Sequence, residues 1–591
     1  MYLRTNVFTQ DGPAPPIVPC LCTDLETQSE IPFNYTKLLP AQDNMRLLTL
    51  QPASSLSTPL HGRLHIIRID PRCEKYEALS YCWGDNFSPE SLCLDGHPLA
   101  IGKNLGEALR RLRYHDRPRV LWIDAICINQ HDDEEKTMQI LRMVQIYSSA
   151  YHVMVWLGED SEHEDGRILM ELATDLSKIS SGWLSWMKLR WYQYLLLSFG
   201  TVWDPRGSFD FCNRLVLEKN HGRYDAKKLS TLFFNRPWFG RRWVIQELLL
   251  AQRATLVCGT NSLDMAILGR TIRHEPSAFT SKVGELLVAD EDNARRLMDA
   301  LFRAGEPQHD EWSTEGPFYM FYGAAIDLLE FVHRFEAFQC RDARDRLAAL
   351  LGLRSSLTHV LGMNYALSVE QNYVNFAKAM IERGFYMHML LEATGRIRSP
   401  NIYQDLLPSW VPDWRLATRH STFANKKTIW LECEAKANHP ERIEEAFGET
   451  LFGESNDNVK SVRLPFVILD IVGEEPDRFR RYTEHGLVLH DSRSSKELDN
   501  ASHCNSIQSG DLACFLGTDV DAALERYYKN RPSVDRACFI LRKQTPSTLA
   551  TSTADTQTYI LVHTCNLYST QAWKEEHMAK LRPYTQWIHL V

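Results

Sequence analysis

Apolar residues in this chain gather in short, nearly unbroken runs, and the stretches between them carry a helical rhythm. Arg46-Leu-Leu-Thr-Leu50 and the alternating Leu64-His-Ile-Ile-Arg-Ile69 read as strands, separated by a Ser/Pro/Thr loop from Pro52 to Pro59. Tyr76 to Tyr81 is the next strand. Asp95-Gly96 lies between Ser91-Leu-Cys-Leu94 and Pro98-Leu-Ala-Ile101, the pattern of a tight hairpin. Leu105, Ala108, Leu109 and Leu112 fall at i, i+3, i+4 and i+7, which predicts a helix capped by Asn104 and running to about Tyr114. Val120 to Ile128 is apolar almost throughout, apart from Asp124, and reads as a central strand. Asp132 with Glu135 three residues on marks a helix start, and Ile140, Met143, Val144 and Tyr147 share a face after it. Val153 to Leu157, closed by Gly158, is a further buried strand.

Strand and helix therefore alternate, which predicts an α/β fold built on a parallel sheet. Residues 1–34 are rich in Pro, Thr and Asp and read as a loosely ordered arm. The α/β unit spans 35–260 and carries an aromatic-rich insertion at 159–230. It resumes with Leu229 to Phe234, the Arg236-Pro-Trp break, a helix from about Arg241 and a strand over Ala254 to Cys258. A helical region follows over 261–414, with amphipathic pieces at Phe331 to Phe338 and Asp345 to Leu353. Trp410-Val-Pro-Asp-Trp414 marks a rigid joint, since Pro412 fixes the backbone between two indoles. Residues 415–591 form a β-rich module with strands at Phe466 to Ile471, Cys538 to Leu541 and Tyr559 to Val562. Polar loops lie at Ser492 to Ser509 and Thr545 to Thr558.

Composition narrows the function classes. A chain of 591 residues suggests about two to four domains. A net charge of −9 without a long Lys/Arg block argues against a nucleic-acid surface. The N-terminus shows no secretory leader pattern, which points to a cytoplasmic protein. The 14 cysteines are scattered and mostly sit in apolar runs, as reduced thiols do. Cys20-Leu-Cys22 lacks the paired knuckles of a zinc site, so no metal is expected. The most membrane-like stretch, Trp183 to Trp203, is interrupted by Lys188, Arg190 and Gln193, so no transmembrane segment is expected. It reads as a packed helix or as a partner-facing or membrane-surface one.

The common catalytic motifs fail on physical requirements. Gly102-Lys103 lacks P-loop spacing, His163-Glu164 and His274-Glu275 lack a second histidine one turn on, and there is no Gly-x-Ser-x-Gly elbow. Three acidic positions stand out. Asp124 lies inside an apolar strand, where a carboxylate needs a hydrogen bond, an ion pair or an exposed strand end. Asp342 and Asp345 sit among arginines as a solvated cluster or an interdomain network. Glu247 falls four residues after Trp243, so indole and carboxylate share a helix face. Such a pair either shelters a planar ring while the acid meets a sugar hydroxyl or a developing cation, or is a salt bridge to Arg241, Arg242 or another basic residue.

Tyr76 to Gly84, Leu121 to Gln130, Glu135 to Tyr147, Val153 to Gly158 and Arg236 to Leu248 resemble the successive signature blocks of the fungal heterokaryon incompatibility (HET) domain. Arg341 to Leu353, Asn364-Tyr365 and Leu407 to Trp414 are similar to blocks of full-length proteins of that family. The resemblance implies a fungal, intracellular protein of nonself recognition whose domain triggers growth arrest or cell death. It also implies likeness to the TIR fold, a flavodoxin-like parallel sheet flanked by helices. Trp243-Val-Ile-Gln-Glu247-Leu248 resembles the TIR Trp-Cys-x-x-Glu-Leu block, whose glutamate is catalytic in TIR enzymes that cleave NAD. Val244 stands where that block has cysteine, and the 159–230 insertion separates blocks that are close together in TIR domains.

Two functions follow from the resemblance. In the first, the domain self-associates or meets a protein partner, and death follows from assembly. In the second, the nicotinamide glycosidic bond of NAD is cleaved through a cation-like ribose. Glu247 would then meet the developing charge, Trp243 would wall the pocket, and Ser80, Tyr81, Trp83, Asp85 and Asp124 would line it. The sequence names no cofactor, and NAD enters only as that reading's substrate.

Overall fold

The computed structural model describes residues 33–38, 43–70, 74–84, 90–180, 218–219, 221–223, 225–272, 328–329, 331–333, 335–353, 361–382, 385–395, 407–416, 452–453, 461–476, 481–483, 488–490, 511–516, 536–543, 558–568 and 585–590. Asp85, residues 1–32, the aromatic stretch 183–203 and the polar loops 492–509 and 545–557 lie outside the described residues. By its internal contacts the chain divides into two compact units, Met1–Thr314 with Arg334–Thr358 and Glu315–His333 with His359–Val591.

The first unit is built on nine strands: β1 (Asn44–Leu50), β2 (Leu60–Arg68), β3 (Glu77–Tyr81), β4 (Glu90–Leu94), β5 (His97–Ile101), β6 (Arg119–Trp122), β7 (His152–Trp156), β8 (Ala254–Cys258) and β9 (Asn261–Asp264). Their order is β5-β4-β2-β1-β6-β3-β7-β8-β9. The central β6-β3-β7-β8 run is parallel throughout. In chain order those four strands lie 2-1-3-4, so the direction of winding reverses at β3, the kind of position where open α/β sheets collect ligands. All five residues of β3 are buried, as a strand covered on both faces requires.

The sheet is mixed rather than parallel. β1 pairs antiparallel with β2 and β6, β4 with β5, and β8 with β9. Short connections account for the β1–β2, β4–β5 and β8–β9 pairs, because antiparallel neighbours need only a turn whereas parallel ones need a crossover; β1 and β6 pair antiparallel across a long connection. The β4–β5 turn is the expected Asp95-Gly96 pair, with φ of 51° and 88°, the double left-handed geometry that suits the right-handed twist of a hairpin.

Helices flank the sheet. α1 (Lys103–Leu112) buries Leu105, Ala108, Leu109 and Leu112, the face its spacing predicts. Its N-cap is Gly102 rather than Asn104. Asn104 instead donates to the Cys82 carbonyl at 2.6 Å and accepts the Trp156 indole at 2.9 Å. Asn104 thus ties the loop after β3 to the end of β7 rather than capping the helix. The run Val120 to Ile128 is not one strand. β6 ends at Trp122 and the chain turns into α2 (Asp124–Cys127), where the Asp124 carboxylate accepts the Ala125 amide at 2.7 Å. A short polar side chain able to bond its own backbone favours that turn over a continued strand. α3 (Asp133–Ser149) begins as its sequence indicates, with Asp132 accepting the Glu135 amide at 3.0 Å.

α4 (Asp165–Ser180) follows β7, and α5 (Ala226–Phe234), a 3-10 turn (Pro237–Gly240) and α6 (Val244–Leu249) lead into β8. α7 (Met265–Ile272) follows β9, and α8 (Asp345–Leu351) packs with α6 in the same unit. A side chain at Gly352 would collide with Gln246 of α6. The expected helix over Phe331 to Phe338 gives way to a turn at 335–337.

The second unit holds α9 (Val369–Glu382), α10 (Tyr386–Gly395) and the described strands of the C-terminal region. Trp410 and Trp414 are both buried, and Trp414 meets Tyr373 and Phe376 edge-on at 5.0 and 5.2 Å. β10 (Phe452–Gly453), β11 (Ser461–Pro476), β12 (Arg481–Thr483), β13 (Val488–His490), β14 (Leu512–Leu516), β15 (Arg536–Lys543), β16 (Thr558–Tyr568) and β17 (Thr585–Leu590) pair antiparallel, except for β16 with β17. β14 also pairs with β11, so the path from β11 through β12, β13, β16 and β15 returns on itself.

Candidate functional site

Two anchors bring the Arg236-to-Leu248 segment to the end of β3. The first is Arg236, whose guanidinium donates to the Leu157 and Glu159 carbonyls at 3.3 and 2.9 Å and to the fully buried Asp165 at 3.0 Å. Pro237 at the start of the 3-10 turn needs no amide partner there. Trp238 and Phe239 then drop into the core, Phe239 among Phe233, Phe234 and Trp238 at centroid distances of 5.6, 5.0 and 5.1 Å. Aromatic burial of this kind contributes several kcal/mol in total, about 1.5–3 kcal/mol for a Phe-sized side chain.

The second anchor is Arg242. Its backbone amide donates to the Gln339 carbonyl at 2.9 Å, and its side chain donates to the Phe335 and Arg346 carbonyls at 2.6 and 2.8 Å. Arg242 is thus turned toward 335–346. Of the two arginines weighed as salt-bridge partners for Glu247, Arg241 is the one in range, at 4.0 Å from carboxylate to guanidinium.

These anchors set Glu247 at 2% exposure against the last residues of β3. The Ser80 hydroxyl donates to Glu247 Oε2, and the Trp238 indole donates to Ser80 Oγ at 2.8 Å. Arg241 also donates to the Tyr81 carbonyl. Nearby, Asp124 accepts the Trp83 indole at 2.9 Å. Trp83 is the exposed member of the group, at 44%.

The electrostatics follow from burial around one guanidinium. Desolvation pushes the Glu247 carboxyl up to about 7, against the pull of Arg241 and of the Ser80 hydrogen bond, and Asp124 adds to the rise. Desolvation also raises Asp124, again opposed by Arg241 and the Trp83 bond. Burial lowers Arg241, but Glu247, Cys82, Asp124 and Tyr147 outweigh it and the guanidinium stays charged. Tyr81 and Tyr147 are driven well above the usual phenol range by burial, with Asp124 and Glu247 reinforcing it.

Among the sequence candidates, the structure brings Ser80 and Glu247 into direct contact, and Tyr81 joins them through Arg241. Asp124 and Trp83 form a neighbouring pair, and the Asp124 charge acts on Glu247. Trp243 is half-buried at the N-cap of α6, and the indole that completes the Glu247 network is Trp238. Asp85 lies outside the described residues. Sequence reasoning passed over Trp238 and Tyr147. Trp238 stands in the Arg236-Pro-Trp block, where a proline-fixed turn ahead of an acidic helix was the available signal. Among the described residues no group of three or more His, Cys, Asp or Glu is arranged to hold a metal, and no helix is long and apolar enough to cross a membrane.

Residues 76–247 match the family model described as heterokaryon incompatibility protein (HET). That span runs from the residue before β3 to the buried glutamate. The chain is 28% identical over 418 residues to the heterokaryon incompatibility protein 6, OR allele, of Neurospora crassa, covering 65% of this chain and 59% of that relative. The chain therefore spans well under two thirds of the relative it matches. No solved structure matches.

Proposed function

The chain is a fungal HET-domain protein, and from that premise we propose that it acts in cytoplasmic nonself recognition, arresting growth or killing the cell through assembly of its HET domain with itself or with protein partners. The observation that carries this reading is the closure of the sheet rim. Glu247 is 2% exposed, and Ser80, Trp238 and Arg241 of the same chain occupy its surroundings. A carboxylate so enclosed supports a rim that works as a structural joint. Trp83, exposed beside it, offers the kind of aromatic contact that interfaces favour. In this reading 35–260 is the HET domain, 261–414 a helical region and 415–591 a module that selects partners.

A second reading is favoured by one feature. The Glu247 carboxyl lies beside Ser80 at the end of the strand where the sheet order reverses, where a flavodoxin-like, TIR-like domain would hold a nucleotide. Glu247 would then stabilise the ribose cation as the nicotinamide bond of NAD breaks. This reading requires the Ser80–Trp238 cover to open.

One experiment separates the two. The full chain and its Glu247→Gln and 415–591 deletion variants are expressed in a fungal host, and growth arrest, NAD content and protein level are followed together. Assembly predicts arrest that survives Glu247→Gln, leaves NAD intact and changes when 415–591 is removed. Loss of both arrest and NAD depletion in Glu247→Gln at normal protein level would establish cleavage instead.

A further inference from the structure

We propose that Glu247, Arg241 and Asp124 form a proton-operated latch between the end of β3 and the 236–249 segment, closed when Glu247 carries a proton and loosened when it is ionised. The geometry carries the argument. Glu247 is almost wholly buried, yet among the described residues its nearest cation, Arg241, stands 4.0 Å away and is not in bidentate contact. That guanidinium also serves the Tyr81 carbonyl and the charge of Asp124. One cation shared between two carboxylates compensates neither fully, and an incompletely paired buried charge is costly.

The groups acting on Glu247 are Ser80 and Tyr81 on β3, Tyr147 on α3, Asp124 at the start of α2, and Trp238 and Arg241 ahead of α6, while α8, packed with α6, buries the apolar run Leu347 to Leu351. Arg241 is the cation among them. With the carboxyl pushed up to about 7 by burial, both forms are populated near neutral pH. A protonated Glu247 sits as a neutral group in a closed pocket, and an ionised one pulls for water or for a second cation. An acid shift in the cell would therefore tighten the joint, and an alkaline shift would free Arg241, Trp238 and the end of β3. The latch is a property of the fold and does not depend on what the domain signals.

The test is amide hydrogen exchange on the full-length protein at pH 6 and pH 8, with labelling times scaled for intrinsic exchange. Peptides covering 77–83 and 241–249 are the readout. In the native sequence these segments should be about tenfold less protected at pH 8, the ratio expected when a carboxyl of ordinary 4.5 in the open form is raised to about 7 in the closed one. Glu247→Gln, a permanently neutral isostere, should be equally protected at both pH values. Ser80→Ala removes a donor to the ionised carboxylate and should move the transition to higher pH. Protection in the native protein that ignores pH, or the same pH dependence in Glu247→Gln, overturns the latch. Should Glu247→Gln fail to fold, an unmoved transition in Ser80→Ala overturns it.

Discussion

Two Arg–Glu pairs in the first unit, each with a buried carboxylate, use the same residue types to opposite effect. Arg46 and Glu135 meet in bidentate contact at 2.6 and 2.9 Å, and both are at most 3% exposed. Both terminal nitrogens of the guanidinium and the carboxylate make further bonds, and of the pair's polar side-chain atoms only Arg46 Nε is left without a partner among the described residues. Arg46 also donates to the Cys127 and Thr36 carbonyls at 3.1 and 2.6 Å, and Glu135 also accepts the Asn129 amide at 2.7 Å. The Tyr35 ring lies 5.0 Å from the guanidinium. Arg241 and Glu247 stand 4.0 Å apart, and the carboxylate gives one oxygen to a neutral hydroxyl. The difference teaches that enclosure alone does not make an ion pair a weld. Fork geometry and added hydrogen bonds to both partners do.

Breaking the welded pair should have the largest effect. Glu135→Ala or Arg46→Ala strands a buried charge, and a loss of about 3–5 kcal/mol is expected in denaturant unfolding followed by a probe in the first unit. Neutralising the looser pair should have the opposite sign. Because the Glu247 carboxyl is raised from the ordinary 4.5 to about 7 in the folded chain, its favourable contribution is fully present below pH 4.5 and is lost as pH rises through 7. Glu247→Gln is thus expected to stabilise the first unit at pH 8 by on the order of 2 kcal/mol and to flatten its melting temperature between pH 5 and 8. A melting profile that keeps its slope in this variant would remove the contrast.

A smaller change tests whether the weld depends on how α3 begins. Asp132→Ala deletes the N-cap of the helix that carries Glu135, and a cost of about 1 kcal/mol by equilibrium unfolding is expected. The least effect belongs to the exposed Lys103–Glu107 pair at 3.7 Å. Lys103→Ala should shift stability by less than about 0.5 kcal/mol at moderate salt. A larger loss there would show that surface pairs carry weight in this fold.

The sequence made the sheet legible where a strand is buried on both faces. Val153 to Leu157 is a continuous apolar run, Tyr76 to Tyr81 is one broken by Glu77 and Ser80, and both are strands in the structure within a residue or two. It misled where one polar residue redirected the chain, since Asp124 within Val120 to Ile128 turns strand into helix. The mixed character of the sheet was hidden for a related reason. Periodicity reports burial, and only the turn chemistry between strands reports direction. Glu247 was visible as a carboxylate one turn after an indole. The indole linked to it through Ser80, Trp238, lies nine residues back across a 3-10 turn, a distance that helix spacing cannot bridge. Ser80 was placed at the right strand end by position, whereas the identity of its bonds needed coordinates.

The downstream clasp on Arg241 and Arg242 has a practical consequence. Gln339 donates its amide to the Gly240 carbonyl at 2.7 Å and accepts from the Arg242 amide at 2.9 Å, and Phe335 and Arg346 hold the Arg242 side chain. The family signature ends at residue 247, about ninety positions before these groups occur. A recombinant fragment cut at residue 260 would contain every signature block and still lack the backbone that orients them. Any laboratory dissection of this chain should keep 335–353 attached.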